Sequence, residues 1–168
     1  MFRFADRTRR SILLASAALL VAGTGVSAQT ASSSSNSSSK QASKKEQAVK
    51  IAVQVSDNDP RALNLALNNV RNALEFYASH KKSATVEVVA YGPGLHMLRS
   101  DTSPVKDRVA EMSLTYPNLT FSACRNTMAN MQKQEGKDIP IVSEAKVTDS
   151  GVVRLVELQS QGYAYVRP

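Results

Sequence analysis

Followed as a pattern of apolar and polar positions, the chain changes character near residue 48. From there, short apolar runs alternate with stretches of helical period. Val49-Lys50-Ile51-Ala52-Val53-Gln54-Val55 is an apolar run of strand length, and its β-branched residues suit a buried strand. Asp59 and Pro60 then stand as N-cap and first helical residue. Leu63, Leu67, Val70, Leu74 and Tyr77 recur at steps of four and three, which lines them along one helical face against the core. Arg71 and Glu75 fall on the polar side. Residues 85–91 predict a second strand, ended by Gly92-Pro93-Gly94.

Ser103-Pro104 resembles a capped helix start, with Val105, Val109, Met112 and Tyr116 at helical spacing and Pro117 as the stop. Residues 119–123 predict a third strand, and residues 125–134 a helix with Met128 and Met131 facing inward. A loop around residues 136–140 follows. Ser150 is placed to cap a last helix, with Val152, Leu155, Val156 and Gln159 along one side and Gly162 at its end. Residues 163–166 close the chain as a strand. This order of strands and crossovers predicts an α/β domain with a parallel sheet covered on both faces and right-handed connections. In such sheets ligands sit beyond the carboxyl ends of the strands. Two features fall there: the Gly92-Pro93-Gly94 loop and Cys124.

The first 47 residues lack this alternation. Residues 1–10 are basic through Arg3, Arg7, Arg9 and Arg10, residues 11–22 are apolar, and Val26-Ser27-Ala28 supplies a small-residue cleavage pattern. These are the three parts of an export signal, with the cut expected before Gln29. The apolar part is shorter than the about 20 residues a membrane crossing needs, so no stable span is expected in the mature chain. Arg9-Arg10 ahead of the apolar run also fits a twin-arginine signal, and both readings of that pair stay open. Either route sends the protein to the periplasm. Residues 29–47 are dominated by serine with a few lysines, a composition with little to bury that reads as a flexible linker to a domain at 48–168.

Composition changes the picture in one respect. The 168 residues hold 21 Lys+Arg against 14 Asp+Glu, a formal charge of +7. Residues 1–28 carry +3 of it, residues 29–47 carry +2 and residues 48–168 carry +2. The basicity therefore belongs mostly to segments outside the predicted fold, and no basic face with aromatic platforms points to nucleic acid. A single cysteine excludes an internal disulfide framework and any multi-cysteine metal site.

Cys124 is the sharpest candidate for chemistry. It stands at a strand-to-helix junction, where unpaired helix amides and the neighbouring Arg125 would favour the thiolate. A small apolar-like residue packed under the helix is the other reading of the same position. Gly92, Gly94 and His96 form a loop that could present amides to a ligand, or simply turn the chain. Neither the GxGxxG nor the phosphate-loop pattern is present, so no nucleotide cofactor is implied. His96-Met97 is too small a donor set for a metal, and none is expected. His80 lies at a helix end, where a dipole contact suffices. Hydrolase signatures are missing from the sequence.

Three stretches together resemble the DsrE/DsrF-like family. They are Val88-Val89-Ala90-Tyr91-Gly92-Pro93-Gly94, then Phe121-Ser122-Ala123-Cys124-Arg125-Asn126-Thr127-Met128, then Gly151-Val152-Val153-Arg154-Leu155 running on to Gln161-Gly162-Tyr163-Ala164-Tyr165. The resemblance covers about residues 49–168. It implies a three-layer α/β/α sandwich with a mainly parallel sheet of about five strands, assembled as a homo-oligomer (trimer or hexamer). It also implies a sulfur-carrier role, with Cys124 as acceptor of sulfane sulfur and a partner protein's thiol as recipient. A non-enzymatic oligomeric binding module of the same fold, using the Gly92–His96 loop, is the alternative.

Overall fold

The computed structural model describes residues 48–168. The expected export signal, its Arg9-Arg10 pair, the cut before Gln29 and the serine-rich linker lie outside the described residues. Five strands, β1 (Val49–Val55), β2 (Ala84–Ala90), β3 (Leu119–Cys124), β4 (Ala145–Thr148) and β5 (Ala164–Val166), form one sheet. Its order is β4-β3-β2-β1-β5, and every pairing is parallel. The helices are α1 (Pro60–Ser79), α2 (Lys106–Thr115), α3 (Arg125–Glu135) and α4 (Gly151–Ser160), with a 3₁₀ segment at Gly92–Leu98 after β2.

The layering follows from the strand order. Three successive connections advance from β1 to β4, and the last doubles back past β1 to β5. With one crossover hand, the first three must cover one face and the last the other. Burial agrees. Val53, Val55, Val86, Val88, Phe121 and Ala123 of the sheet join Leu63, Leu67, Val70, Leu74, Val109 and Met112 of α1 and α2 in the larger core. Each fully buried Leu or Phe there contributes roughly 1.5–3 kcal/mol. On the opposite face a smaller core joins Ala52 and Val89 to Leu155 and Leu158 of α4.

Asp59 caps α1 as the sequence predicts, its carboxylate accepting the Arg61 N–H at 2.7 Å with Pro60 in the first turn. Other boundaries differ. Helix α2 starts at Lys106, because Ser103 Oγ is engaged earlier: it donates to Met97 O and accepts the Val105 N–H. Met128 and Met131 pack on the larger core only half-buried. Strand β4 has no counterpart in the sequence reading, being four residues long with two of them exposed. The inward face of α4 is Gly151, Leu155 and Leu158, while Val152, Val156 and Gln159 face outward. The helix is turned this way because Gly151 must lie against Tyr91 and Arg154 must reach Glu87. Among the described residues no helix is long and apolar enough to cross a membrane.

Candidate functional site

The layering creates the site. Strand β3 feeds α3 onto the larger-core face, whereas its neighbour β4 feeds α4 onto the other. Adjacent strands whose exits diverge leave a crevice at their carboxyl ends. Cys124, the last residue of β3, stands in it, and the N-terminal turns of both α3 and α4 converge on its side chain. Each brings unpaired N–H groups and the positive end of a helix dipole.

The hydrogen bonds around the sulfur are specific. The Gly151 N–H donates to Cys124 Sγ at 3.2 Å. Thr127 Oγ1 accepts the Gly92 N–H at 2.9 Å, which leaves the hydroxyl proton free to point at the sulfur. Burial pushes the thiol up, but the Thr127 hydroxyl and the Gly151 amide, with smaller contributions from the Thr127 and Asn126 amides, outweigh it. The Cys124 thiol therefore sits below its ordinary value. Electrostatically this is a site for thiolate. Sterically it is enclosed: the residue is 4% exposed.

Arg125 does not take the part expected of it. Its guanidinium is 64% exposed and pairs with Asp149 at 3.1 Å, because the helix turn after Cys124 directs position 125 outward. The donors to sulfur come instead from Thr127 and Gly151. Gly92, Gly94 and His96 separate as well. Gly92 and His96, with Asn58, Thr127, Asn130 and Gln134, line a cleft of about 380 Å³. Gly94 is buried away from it: a Cβ there would lie 2.3 Å from Val55 O, so its role is the close approach of the 3₁₀ segment to β1. His96 Nδ1 shares a hydrogen bond with Thr102 Oγ1 at 2.7 Å. Thr127 belongs to both the cleft wall and the sulfur's surroundings, and so joins the two candidate regions. Among the described residues no group of three or more His, Cys, Asp or Glu side chains is arranged to hold a metal.

Thr127, Gly151 and Tyr91 escape the sequence reading as site residues. Thr127 carries a signal, a polar residue three places into a helix that starts at the candidate cysteine. Gly151, a glycine opening a helix behind Ser150, hints at a close approach. Tyr91 is only visible once β2 and β3 are in register.

A sequence profile of the DsrE/DsrF-like family matches residues 47–168. The chain belongs to the DsrE/DsrF-like family. Its fold is similar to that of MTH1491 from Methanobacterium thermoautotrophicum, described as a protein of unknown function, with 32% identity and a TM-score of 0.59. That likeness covers 71% of this chain and 99% of the other. Comparison with curated proteins returns no match. The DsrE-like assignment and the five-stranded parallel sheet between helical layers agree with one another.

Proposed function

We propose that this DsrE-like protein is an exported sulfur carrier that takes sulfane sulfur onto Cys124. The observation that carries the reading is the convergence of two helix N-termini on one buried sulfur, with Gly151 N–H at 3.2 Å. A thiol lowered in this way is more readily ionised to the nucleophilic thiolate. It attacks the outer sulfur of a donor hydropersulfide, R–S–SH. A bond forms between Cys124 Sγ and that sulfur, and the donor S–S bond breaks. Its electron pair leaves on R–S⁻, so that Cys124 becomes Cys–S–SH. Discharge is the same exchange with a partner's thiolate as attacker, returning Cys124 as thiolate. The chain has one cysteine, so the recipient is another molecule. Export to the periplasm rests on the pattern of residues 1–28, and assembly into a trimer or hexamer on the family resemblance.

Incubation of the mature protein with inorganic polysulfide, followed by intact-mass measurement, tests this. Wild type should gain the mass of one sulfur atom, reversibly by thiol reductant, and Cys124→Ser should gain none. An unmodified wild type, under conditions that load a control carrier, overturns it.

The cleft supports a second reading, a binding module without chemistry. Its volume of about 380 Å³ lies within the range of small-molecule sites, and its lining mixes polar Asn58, Thr127, Asn130 and Gln134 with apolar Pro93 and Met131. Under that reading Cys124→Ser leaves ligand affinity intact.

A further inference from the structure

Four residues neighbour Cys124. Gly151 donates from α4, and Thr127 lies on the α3 side. The other two are neighbours across the sheet. Cys124 is registered against Thr148 of β4. Ala90 pairs with Ala123, so the next position, Tyr91, runs beside Cys124 on the α4 face at the strand spacing of about 5 Å. Tyr91 is the one large side chain of the four. Its ring packs on Gly151: a Cβ built there would come within 2.8 Å of Tyr91 Cβ and 2.9 Å of Cδ1. The space that a side chain at 151 would need is the space the ring fills. The ring also rests half-buried on the smaller core of Ala52, Val89, Leu155 and Leu158. Burial, with Tyr165 and Cys124 nearby against the opposing pull of Arg167, holds the phenol above its ordinary value, so it stays neutral beside the thiolate.

We propose that Tyr91 is the specificity-determining residue of the sulfur site, its ring screening Cys124 from bulky reagents while admitting small linear donors such as inorganic polysulfide. This rests on Cys124 as the sulfur acceptor. A chain of sulfur atoms has the cross-section of one atom, and a modest rotation of a half-buried side chain passes it. A donor with an aryl or folded body beside its reacting sulfur requires the ring to leave Gly151, and with it the contact that seats the α4 amide on the sulfur.

The test compares Cys124 alkylation by iodoacetamide with its reaction with dithio-bis-nitrobenzoate, an aromatic disulfide, in the folded mature protein. Dividing one rate by the other cancels changes in thiolate fraction. Tyr91→Ala should raise the aromatic rate relative to iodoacetamide by at least about tenfold, while Tyr91→Phe keeps the wild-type ratio. A ratio in Tyr91→Ala within about twofold of wild type overturns the proposal. Cooperative thermal melting checks that each variant is folded. If Tyr91→Ala is not, Tyr91→Leu, which keeps apolar contact with the smaller core, is read in its place by the same criterion. No sulfur donor enters this measurement, so it stands apart from the carrier reading: a ratio that responds to Tyr91 in a protein that takes up no sulfur keeps the screening residue and removes the carrier. Where sulfur does load, Tyr91→Ala should accelerate loading from an aromatic hydropersulfide far more than from polysulfide. Equal acceleration contradicts the assignment.

Discussion

Arg154 of α4 grips Glu87 of β2 through two hydrogen bonds of 2.7 Å, one from Nε and one from Nη2. Ser122 of β3 donates to the same carboxylate at 2.7 Å. Burial pushes Glu87 up, and these partners more than reverse it, so the group stays ionised within the sheet. Arg154 lies one turn after Gly151, and its grip therefore fixes the helix end that delivers an amide to Cys124. Arg154→Met should cost about 2–3 kcal/mol in urea unfolding, below the 3–5 of a fully buried pair because the guanidinium is 29% exposed. The double variant Arg154→Met/Glu87→Met should regain most of the loss, since no charge is stranded. A double-mutant cycle with no coupling would remove the pair as the anchor of α4.

The state of Cys124 should follow Thr127. Thr127→Val deletes the hydroxyl donor that most lowers the thiol and should raise it, with Thr127→Ser close to wild type. The pH dependence of alkylation reads this directly. The sign also sets a stability effect. A thiol lowered in the folded state contributes stability above the unfolded value of about 8.5, and that contribution fades as pH falls through the folded value. Wild type should thus gain over Cys124→Ser only toward alkaline pH. A pH profile unmoved in Thr127→Val would show that the hydroxyl does not serve the sulfur.

The physics of legibility differs between the two levels. Strands β2 and β3 are buried on both faces and, with the partly buried β1, read as apolar runs, and α1 carries its core face in the spacing of Leu63, Leu67, Val70 and Leu74. These local patterns bring Cys124 to the end of a strand. What they cannot supply is β4, whose Ala145-Lys146-Val147-Thr148 has no apolar run because it lies at the sheet edge. Without β4 the return of α4 to Cys124 is invisible, and with it the Gly151 donor. Arg125 is the instructive error: adjacency in sequence suggested a charge on the sulfur, whereas the helix turn sends that side chain to Asp149. The outward valines of α4 misled for a similar reason, since apolar residues on both sides of a short helix leave its inward face undetermined by period alone.

Acid sensitivity should centre on Arg99. Only 1% exposed, it holds Asp101 through two hydrogen bonds of 2.9 and 2.8 Å and binds Glu135 of α3 through both terminal nitrogens. The guanidinium keeps both carboxyls below their ordinary values, tying the segment after the 3₁₀ turn to α3. Carboxylates lowered in the folded state contribute stability above their unfolded values near ~4, and lose it as pH falls through the folded ones. Denaturation midpoints should therefore fall steeply below about pH 4. Arg99→Met should lower stability at neutral pH by about 2–3 kcal/mol, since the two carboxylates can partly rehydrate, and should flatten that acid limb. An acid limb as steep in the variant as in wild type would place the titrating groups elsewhere.

Gly92 and Gly94, two residues apart, should respond to alanine in different ways. A Cβ at Gly94 meets backbone: Val55 O at 2.3 Å, Val55 C at 2.5 Å and Ser56 N at 2.7 Å. None of these can rotate aside, and Val55 O is already engaged by the Tyr91 N–H at 3.1 Å. Gly94→Ala must push the 3₁₀ segment off β1, at the upper end of overpacking costs, about 3 kcal/mol. A Cβ at Gly92 meets nothing within 4 Å, and only its φ of +53° resists, at about 1 kcal/mol. In thermal melts this corresponds to losses of roughly 10 °C against roughly 4 °C. The Gly92 N–H survives in Gly92→Ala, so its bond to Thr127 and the Cys124 alkylation profile should persist. In Gly94→Ala the displaced segment carries the Gly92 amide away from Thr127, and the thiol should rise. Equal melting losses in the two variants would mean that the contact between the 3₁₀ segment and β1 is not what fixes this loop.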